Sequence, residues 1–262
     1  MVLKNKTIII NAYHKQNPHK ISLCLCSFEK SRNITLKGQN DFSFLHKSER
    51  EYLISGVSDS RRESYVLGRY AAKKAIVKQL ENIHSKDILI KNGIFRQPIS
   101  ENKDLNLDIT ISHCANYGIA LAFDRELIIG VDIEKCDERR VESLEKIISL
   151  KEIKMFEHLE TDMSGKLIIM WAVKESLSKC LKTGINVDLN VFEINKIETT
   201  DFQVRGDFSH FPQYKFLAFK HGEDVVAITF PKYLDFQFNV TDFIKLPFDQ
   251  VSLVNIHGNY QM

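Results

Sequence analysis

Ile128-Ile129-Gly130-Val131-Asp132-Ile133-Glu134 is apolar and β-branched, and reads as a short buried strand. A strand sends alternate side chains to opposite faces, so Val131 and Ile133 enter one layer while Asp132 and Glu134 share the other, one pleat apart. Two carboxylates side by side on a greasy strand repel each other and must be desolvated together. A hard divalent cation offsets that cost, since Mg²⁺ favours carboxylate oxygens and completes its shell with water and substrate phosphates. The competing reading is a strand that ends at the surface with both acids in water.

Outward from that strand, the 262 residues suffice for one large domain or two ordinary ones. A hydrophobic fraction of 44% and a charged fraction of 27% are those of a soluble globular protein. The formal net charge of +2 predicts no global attraction to nucleic acid or to a membrane, so a basic site must be local. The start, MVLKNKTIIINAYHK, lacks the apolar core and cleavage site of a signal peptide, and a cytoplasmic location is expected. Five cysteines without a Cys-x-x-Cys pair argue for reduced thiols rather than a disulfide framework or a zinc site. Cys24 and Cys26 lie in an alternating stretch and are expected on one face of a strand.

Strands are expected at 7–10, 21–28, 88–91, 107–111, 118–123, 191–197, 214–220 and 224–230. Ser48 is read as the N-cap of a helix over 49–54, and a longer helix as running from 60 to 82. Gly68 in the middle of that helix costs roughly 1 kcal/mol against Ala, which implies close packing there. Two short helices fall within 138–160, the second being KEIKMFEHL. A strong helix spans 165–182 with Gly184 as its C-terminal cap. No period is assigned to 231–262.

On the helix over 165–182, Leu167, Met170, Val173, Leu177 and Leu181 form one apolar stripe. Ile168, Ala172, Glu175 and Lys179 lie nearly opposite, with Trp171 beside them. Glu175 and Lys179 are spaced for an ordinary surface ion pair. A helix apolar on both flanks of Glu175 is instead explained by a cleft, where Glu175 adds an oxygen ligand to Asp132 and Glu134 and Lys179 meets a phosphate.

Gly130-Val131-Asp132-Ile133-Glu134, with Trp171-Ala172-Val173-Lys174-Glu175-Ser176-Leu177-Ser178-Lys179 further on, resembles the paired signature of the 4′-phosphopantetheinyl transferases. Ser112-His113 and Leu67-Gly68-Arg69 match elements upstream of it. The resemblance covers about 45–230 and is to the two-lobed, surfactin-type group. It implies an α+β fold of two similar α/β lobes in a pseudo-dimer: an N-terminal lobe at 1–123, a C-terminal lobe at 124–235, and a tail at 236–262. It implies a monomeric enzyme that moves the phosphopantetheine arm of coenzyme A onto a serine of an apo acyl or peptidyl carrier protein. The other product is 3′,5′-adenosine bisphosphate. Asp132, Glu134 and Glu175 become Mg²⁺ ligands, Glu175 and Lys179 the catalytic residues, and Ser112, His113 and Arg50 contacts to coenzyme A. Arg62 joins them, Arg61 is considered beside it, and Arg96 replaces the lysine of the Gly-Lys-Pro found in many members. Glu152 falls where some members carry a further acid near the metal; otherwise it is a surface charge. The rival functions are a non-catalytic adaptor for carrier domains and a Mg²⁺-dependent phosphodiesterase or nuclease. The E-x-K pattern of restriction-type nucleases fails here, because Lys135 follows Glu134 directly.

Overall fold

The structure, a computed structural model, describes residues 2–29, 42–55, 57–80, 82–102, 105–185, 187–200 and 203–250. In chain order the elements are β1 (Val2–His14), β2 (Asn17–Glu29), α1 (Lys47–Ile54), α2 (Asp59–Gln79), β3 (Ile90–Asn92) and β4 (Pro98–Ser100). Next come β5 (Leu107–Cys114), β6 (Tyr117–Asp124), β7 (Gly130–Lys135), α3 (Val141–Glu145), α4 (Leu150–Met155) and α5 (Met163–Leu181). The chain continues through β8 (Ile194–Thr200), β9 (Gln203–Phe208), β10 (Tyr214–His221), β11 (Asp224–Pro231), β12 (Asp235–Gln237), α6 (Val240–Lys245) and β13 (Asp249–Gln250).

Two antiparallel sheets result, ordered β12-β1-β2-β6-β5 and β7-β11-β10-β9-β8, with β13 also on β1 and a separate β3-β4 hairpin. Strand alternation sets the layers. Leu23, Leu25, Ile119 and Leu121 of the first sheet meet Val131, Ile133, Leu217 and Ile228 of the second in one core. The opposite faces carry Cys24, Cys26 and Ala120 against α2, and Phe216, Ala218 and Ala227 against α5. The molecule is therefore helix, sheet, sheet, helix. The two cysteines do share a face, as their spacing predicts.

The lobes repeat one another. β2-α1-α2-β3-β4-β5-β6 is followed by β7-α4-α5-β8-β9-β10-β11, and β2-β6-β5 pair as β7-β11-β10 do. The repetition extends to single side chains. Glu49 closes the capping box of α1, accepts from the Ile90 N–H at 3.1 Å and meets the Lys73 ammonium at 2.7 Å. Glu152 closes the capping box of α4, accepts from the Ile194 N–H at 2.9 Å and meets the Lys174 ammonium at 2.7 Å. All four side chains are buried. Each pair ties a short capped helix, the long helix and the strand after it into one unit. Glu152 is thus neither a metal-site acid nor a surface charge; burial and the Lys174 partner could not be read from Ser149-Leu150-Lys151-Glu152 alone.

Other expectations shift in detail. The N-cap of α1 is His46, not Ser48; its ring accepts from the Ser48 N–H. α5 ends on Lys182 in the left-handed region (φ 58°), ahead of Gly184. The stretch 189–192 is a 3₁₀ turn, and β9 was not foreseen. A methyl group at Gly68 would lie 3.0 Å from Ile111, so the close packing is real; at Gly118 it would lie 2.7 Å from the Leu67 backbone. No helix among the described residues is long and apolar enough to cross a membrane.

The segment after β11, unassigned from sequence, crosses back to the first sheet. β12 pairs with β1 at Asn11–Tyr13 and β13 at Lys4 and Asn5, while Phe236, Phe238, Val240 and Phe243 fill the core between the sheets. The part of the tail at 251–262 lies outside the described residues. Lys6 is buried beneath this strap. Its ammonium donates to the Phe243 carbonyl at 2.9 Å and lies 4.4 Å and 5.2 Å from the ring centroids of Phe243 and Phe248.

Two measurements check this account. Lys174→Met leaves the Glu152 carboxylate buried and uncompensated, and should cost about 3–5 kcal/mol in urea unfolding. Adding Glu152→Gln should recover most of that loss, because the amide still accepts from Ile194; a double variant as unstable as the single one would show that the charge pair is not the cause. For Lys6, burial pushes the pKa from an ordinary 10.5 down to about 8. Between those values the unfolded chain binds more protons, so the Lys6 contribution makes stability rise with pH from about 8 to 10.5. Lys6→Met should therefore exceed wild type in stability most at pH 7, with the difference shrinking above pH 8 in chemical unfolding.

Candidate active site

Asp132 and Glu134 leave β7 on the face opposite Val131 and Ile133, which enter the core between the sheets. That face is covered by α5, capped at its start by Asp162 accepting from the Gly165 N–H at 2.7 Å. α5 is buried nearly all round: Ile168 and Ala172 are as fully enclosed as Leu167 and Met170. The single stripe read from sequence is one of two, because α5 faces the second sheet on one side and α3 and α4 on another.

Contact between α5 and β7 is closest at Gly130. A Cβ there would stand 2.0 Å from the Ser176 carbonyl oxygen and 2.5 Å from the Cys180 nitrogen. Small polar groups complete the seam, with Ser176 and Thr229 hydroxyls 2.6 Å apart. The site also draws on the first sheet: the Val131 N–H donates to the Thr110 hydroxyl at 3.2 Å, and the Ser112 hydroxyl donates to Asp132 Oδ1 at 2.8 Å.

Trp171, Glu175 and Lys179 follow one another at helical i, i+4, i+8 spacing and line one face of α5. Lys179 Nζ donates to Asp132 Oδ1 and to Ser112 Oγ, each at 2.7 Å. It does not form the ordinary surface ion pair with Glu175 that their spacing would allow. The second oxygen of Asp132, Oδ2, is buried without a hydrogen-bond partner. Glu134 is held at both oxygens: the Trp171 indole N–H donates to Oε1 at 3.0 Å, and Arg140 to Oε2 at 2.7 Å. The Arg140 guanidinium stacks 5.3 Å from the Trp171 ring centroid. Glu175 accepts no side-chain hydrogen bond among the described residues. Burial first, and the Asp132 carboxylate next, push its pKa up to about 7, with Lys179 opposing.

The remaining predicted residues, Ser112 apart, make no hydrogen bond or ion pair with this centre among the described residues. His113, next to Ser112 on β5 and therefore on the opposite face, is exposed. The protein packed around its ring lowers its pKa, and the Lys179 ammonium adds to that. Arg50 is exposed on α1, and Arg96 is exposed in the β3-β4 turn with a positive φ of 62°. Arg62 is engaged with Asp59 at 2.7 Å and with the Leu53 and Val57 carbonyls, where it holds the α1-α2 junction; Arg61 donates to the Tyr52 hydroxyl. Arg140 was missed. It stands six residues after Glu134 in a charged stretch, and only the 3₁₀ turn Glu138–Arg140 brings it back to the end of β7.

The donor set suits a hard divalent cation: three carboxylates, one of them with an orphaned buried oxygen and another, Glu175, whose pKa is raised by burial first and by its acidic neighbours next. The three do not converge as a set of ligand atoms within 4.8 Å; among the described residues that closeness belongs to His19, Asp124 and Glu126. Two of the three acids are instead paired with cations of the chain, Asp132 with Lys179 and Glu134 with Arg140.

Residues 128–230 match the family model of the 4′-phosphopantetheinyl transferase superfamily. The chain is 23% identical over 161 residues to the 4′-phosphopantetheinyl transferase gsp of Aneurinibacillus migulanus, covering 56% of this chain and 65% of that protein. It is 27% identical over 107 residues to a holo-[acyl-carrier-protein] synthase of Geobacillus sp. (strain WCH70), and 29% identical over 94 residues to that of Mycoplasma mycoides subsp. mycoides SC. These two are matched over 90% and 84% of their own length by 38% and 36% of this chain, about the size of one lobe. The span similar to that superfamily runs from just before β7 to near the end of β11 and holds Asp132, Glu134, Glu175 and Lys179.

Proposed function

We propose that the protein transfers the 4′-phosphopantetheine arm of coenzyme A to a serine of an apo acyl or peptidyl carrier protein, releasing 3′,5′-adenosine bisphosphate. The observation that carries this reading is the gathering of Asp132, Glu134, Glu175 and Lys179 where α5 crosses β7, with the Asp132 Oδ2 atom buried and unsatisfied. A Mg²⁺ ion held by Asp132, Glu134 and Glu175 would supply positive charge to the pyrophosphate of the substrate. Lys179 adds a compact ammonium for the oxygens whose charge grows during transfer. The carrier serine oxygen attacks phosphorus, the bond to the adenosine bisphosphate oxygen breaks, and the serine proton passes to Glu175. His113, exposed on β5, supplies a donor toward the 3′-phosphate, while the buried Ser112 hydroxyl is engaged with Asp132 and Lys179. Arg50 and Arg96 are exposed cations for the same ligand, while Arg62 is committed to its own helix junction.

The direct test is incubation with coenzyme A, Mg²⁺ and a panel of apo-carrier proteins, read by mass. A gain of one phosphopantetheine on at least one carrier, abolished by Asp132→Ala, is expected; no gain on any member would sink the proposal. Lys179→Met separates charge neutralisation from a structural pair. Its single-turnover rate should fall by orders of magnitude, and Lys179→Arg should rescue only partly, since a planar fork does not replace an ammonium at a fixed distance. A normal rate in the Met variant would remove Lys179 from the reaction.

A further inference from the structure

Glu134 has no free oxygen: Oε1 takes the Trp171 indole N–H and Oε2 the Arg140 guanidinium. The arginine side chain is 32% exposed, sits on a short 3₁₀ turn and makes no other ion pair among the described residues. Its grip on the site thus consists of Glu134 and the face of Trp171. A cation that uses Glu134 as a ligand either takes Oε2 from this guanidinium or binds at Oε1 with the guanidinium still on the same carboxylate, and both routes work against its like charge. Lys179 stands in the same relation to Asp132 Oδ1, but it is tied by a second bond to Ser112.

We propose that Arg140 is the resident counter-ion of Glu134, displaced when a divalent cation enters, and that this exchange sets how tightly the free protein binds metal. The inference rests on the reading of Asp132, Glu134 and Glu175 as a divalent-cation site. Balanced by the chain's own cations, the acids hold metal weakly by themselves. A substrate rich in phosphate oxygens gives the released guanidinium an alternative partner, so metal and coenzyme A favour each other's binding. Arg140 acts here through the charge it places on Glu134, not by orienting that side chain.

Trp171 is the single tryptophan of the chain and touches both partners, so its emission reports the exchange. Calorimetric titration of the free full-length protein with Mn²⁺ gives the affinity, and titration with Mg²⁺ followed by tryptophan fluorescence gives the signature. Arg140→Met should bind Mn²⁺ about five- to tenfold more tightly than wild type, as removal of one nearby like charge predicts. Arg140→Lys, which keeps the charge, should stay within about twofold of wild type. Mg²⁺ should change Trp171 emission in wild type and much less in Arg140→Met. Equal or weaker Mn²⁺ binding by Arg140→Met overturns the proposal and makes Arg140 a support that orients Glu134. Absence of binding in every protein, with the Asp132→Asn control indistinguishable from wild type, overturns the metal site itself. Thermal unfolding of each variant establishes that the comparison is between folded proteins.

Discussion

Helix α5 and strand β7 touch backbone to backbone at Gly130, where a single methyl group would sit 2.0 Å from the Ser176 carbonyl oxygen. Everything chemical in the molecule depends on that approach. Side chains two and four residues along β7 reach the side chains of Trp171, Glu175 and Lys179 only because nothing intervenes between helix and strand. The contact spans a seam of small groups, Ser176 against Thr229, and the hydrophobic core lies behind it on the far face of β7. An added Cβ would force the helix outward, and an overpacked core of this kind typically loses 1–3 kcal/mol. The distances to the acids would open by the same shift.

The duplication explains why only one of two similar lobes holds the acids. Aligning α2 with α5 on their buried lysines, Lys73 and Lys174, sets Tyr70 against Trp171, Lys74 against Glu175 and Lys78 against Lys179. The first lobe therefore has the ammonium but not the carboxylate of the pair. What it contributes comes from β5, the free edge of its sheet, which lies beside β7, the free edge of the other. Edge strands leave half of their backbone groups without ladder partners. Here Thr110 accepts from the Val131 N–H and Ser112 donates to Asp132, so the two edges satisfy each other through side chains. The site forms at that junction and belongs to both lobes.

Local pattern carried what is local. The alternation of Val131 and Ile133 with Asp132 and Glu134 set the two faces of β7, and i, i+4 spacing set the functional face of α5. Glu152 defeated the same reasoning, because its partner Lys174 is far away in sequence and a capping-box glutamate looks alike whether exposed or enclosed. Arg140 depended on a turn geometry that no periodicity encodes. The strap from β12 to β13 shows no period because its residues do three different jobs in succession: pair with β1, bury aromatic rings, and pair with β1 again. Lys6 was invisible for the opposite reason. In an alternating strand it reads as an outward charge, yet the strap covers it.

The choice Lys179 makes between two acids follows from the cost of leaving each one alone. Glu175 lies one helical turn away and would accept an ordinary surface pair worth a few tenths of a kcal/mol. Asp132 is 2% exposed, fixed on a strand and already bonded to Ser112. An uncompensated carboxylate in that position costs several times more, so the ammonium goes to Asp132 and leaves Glu175 without a donor. Glu175 then faces the Asp132 and Glu134 carboxylates from a partly dry position, and it retains its proton up to about pH 7. A group that is neutral in this arrangement gains most from any positive charge brought between the three acids, since it can then ionise without opposing its neighbours. The strongest buried demand for charge takes the chain's own lysine, and the demand left unmet is the one that a bound cation answers.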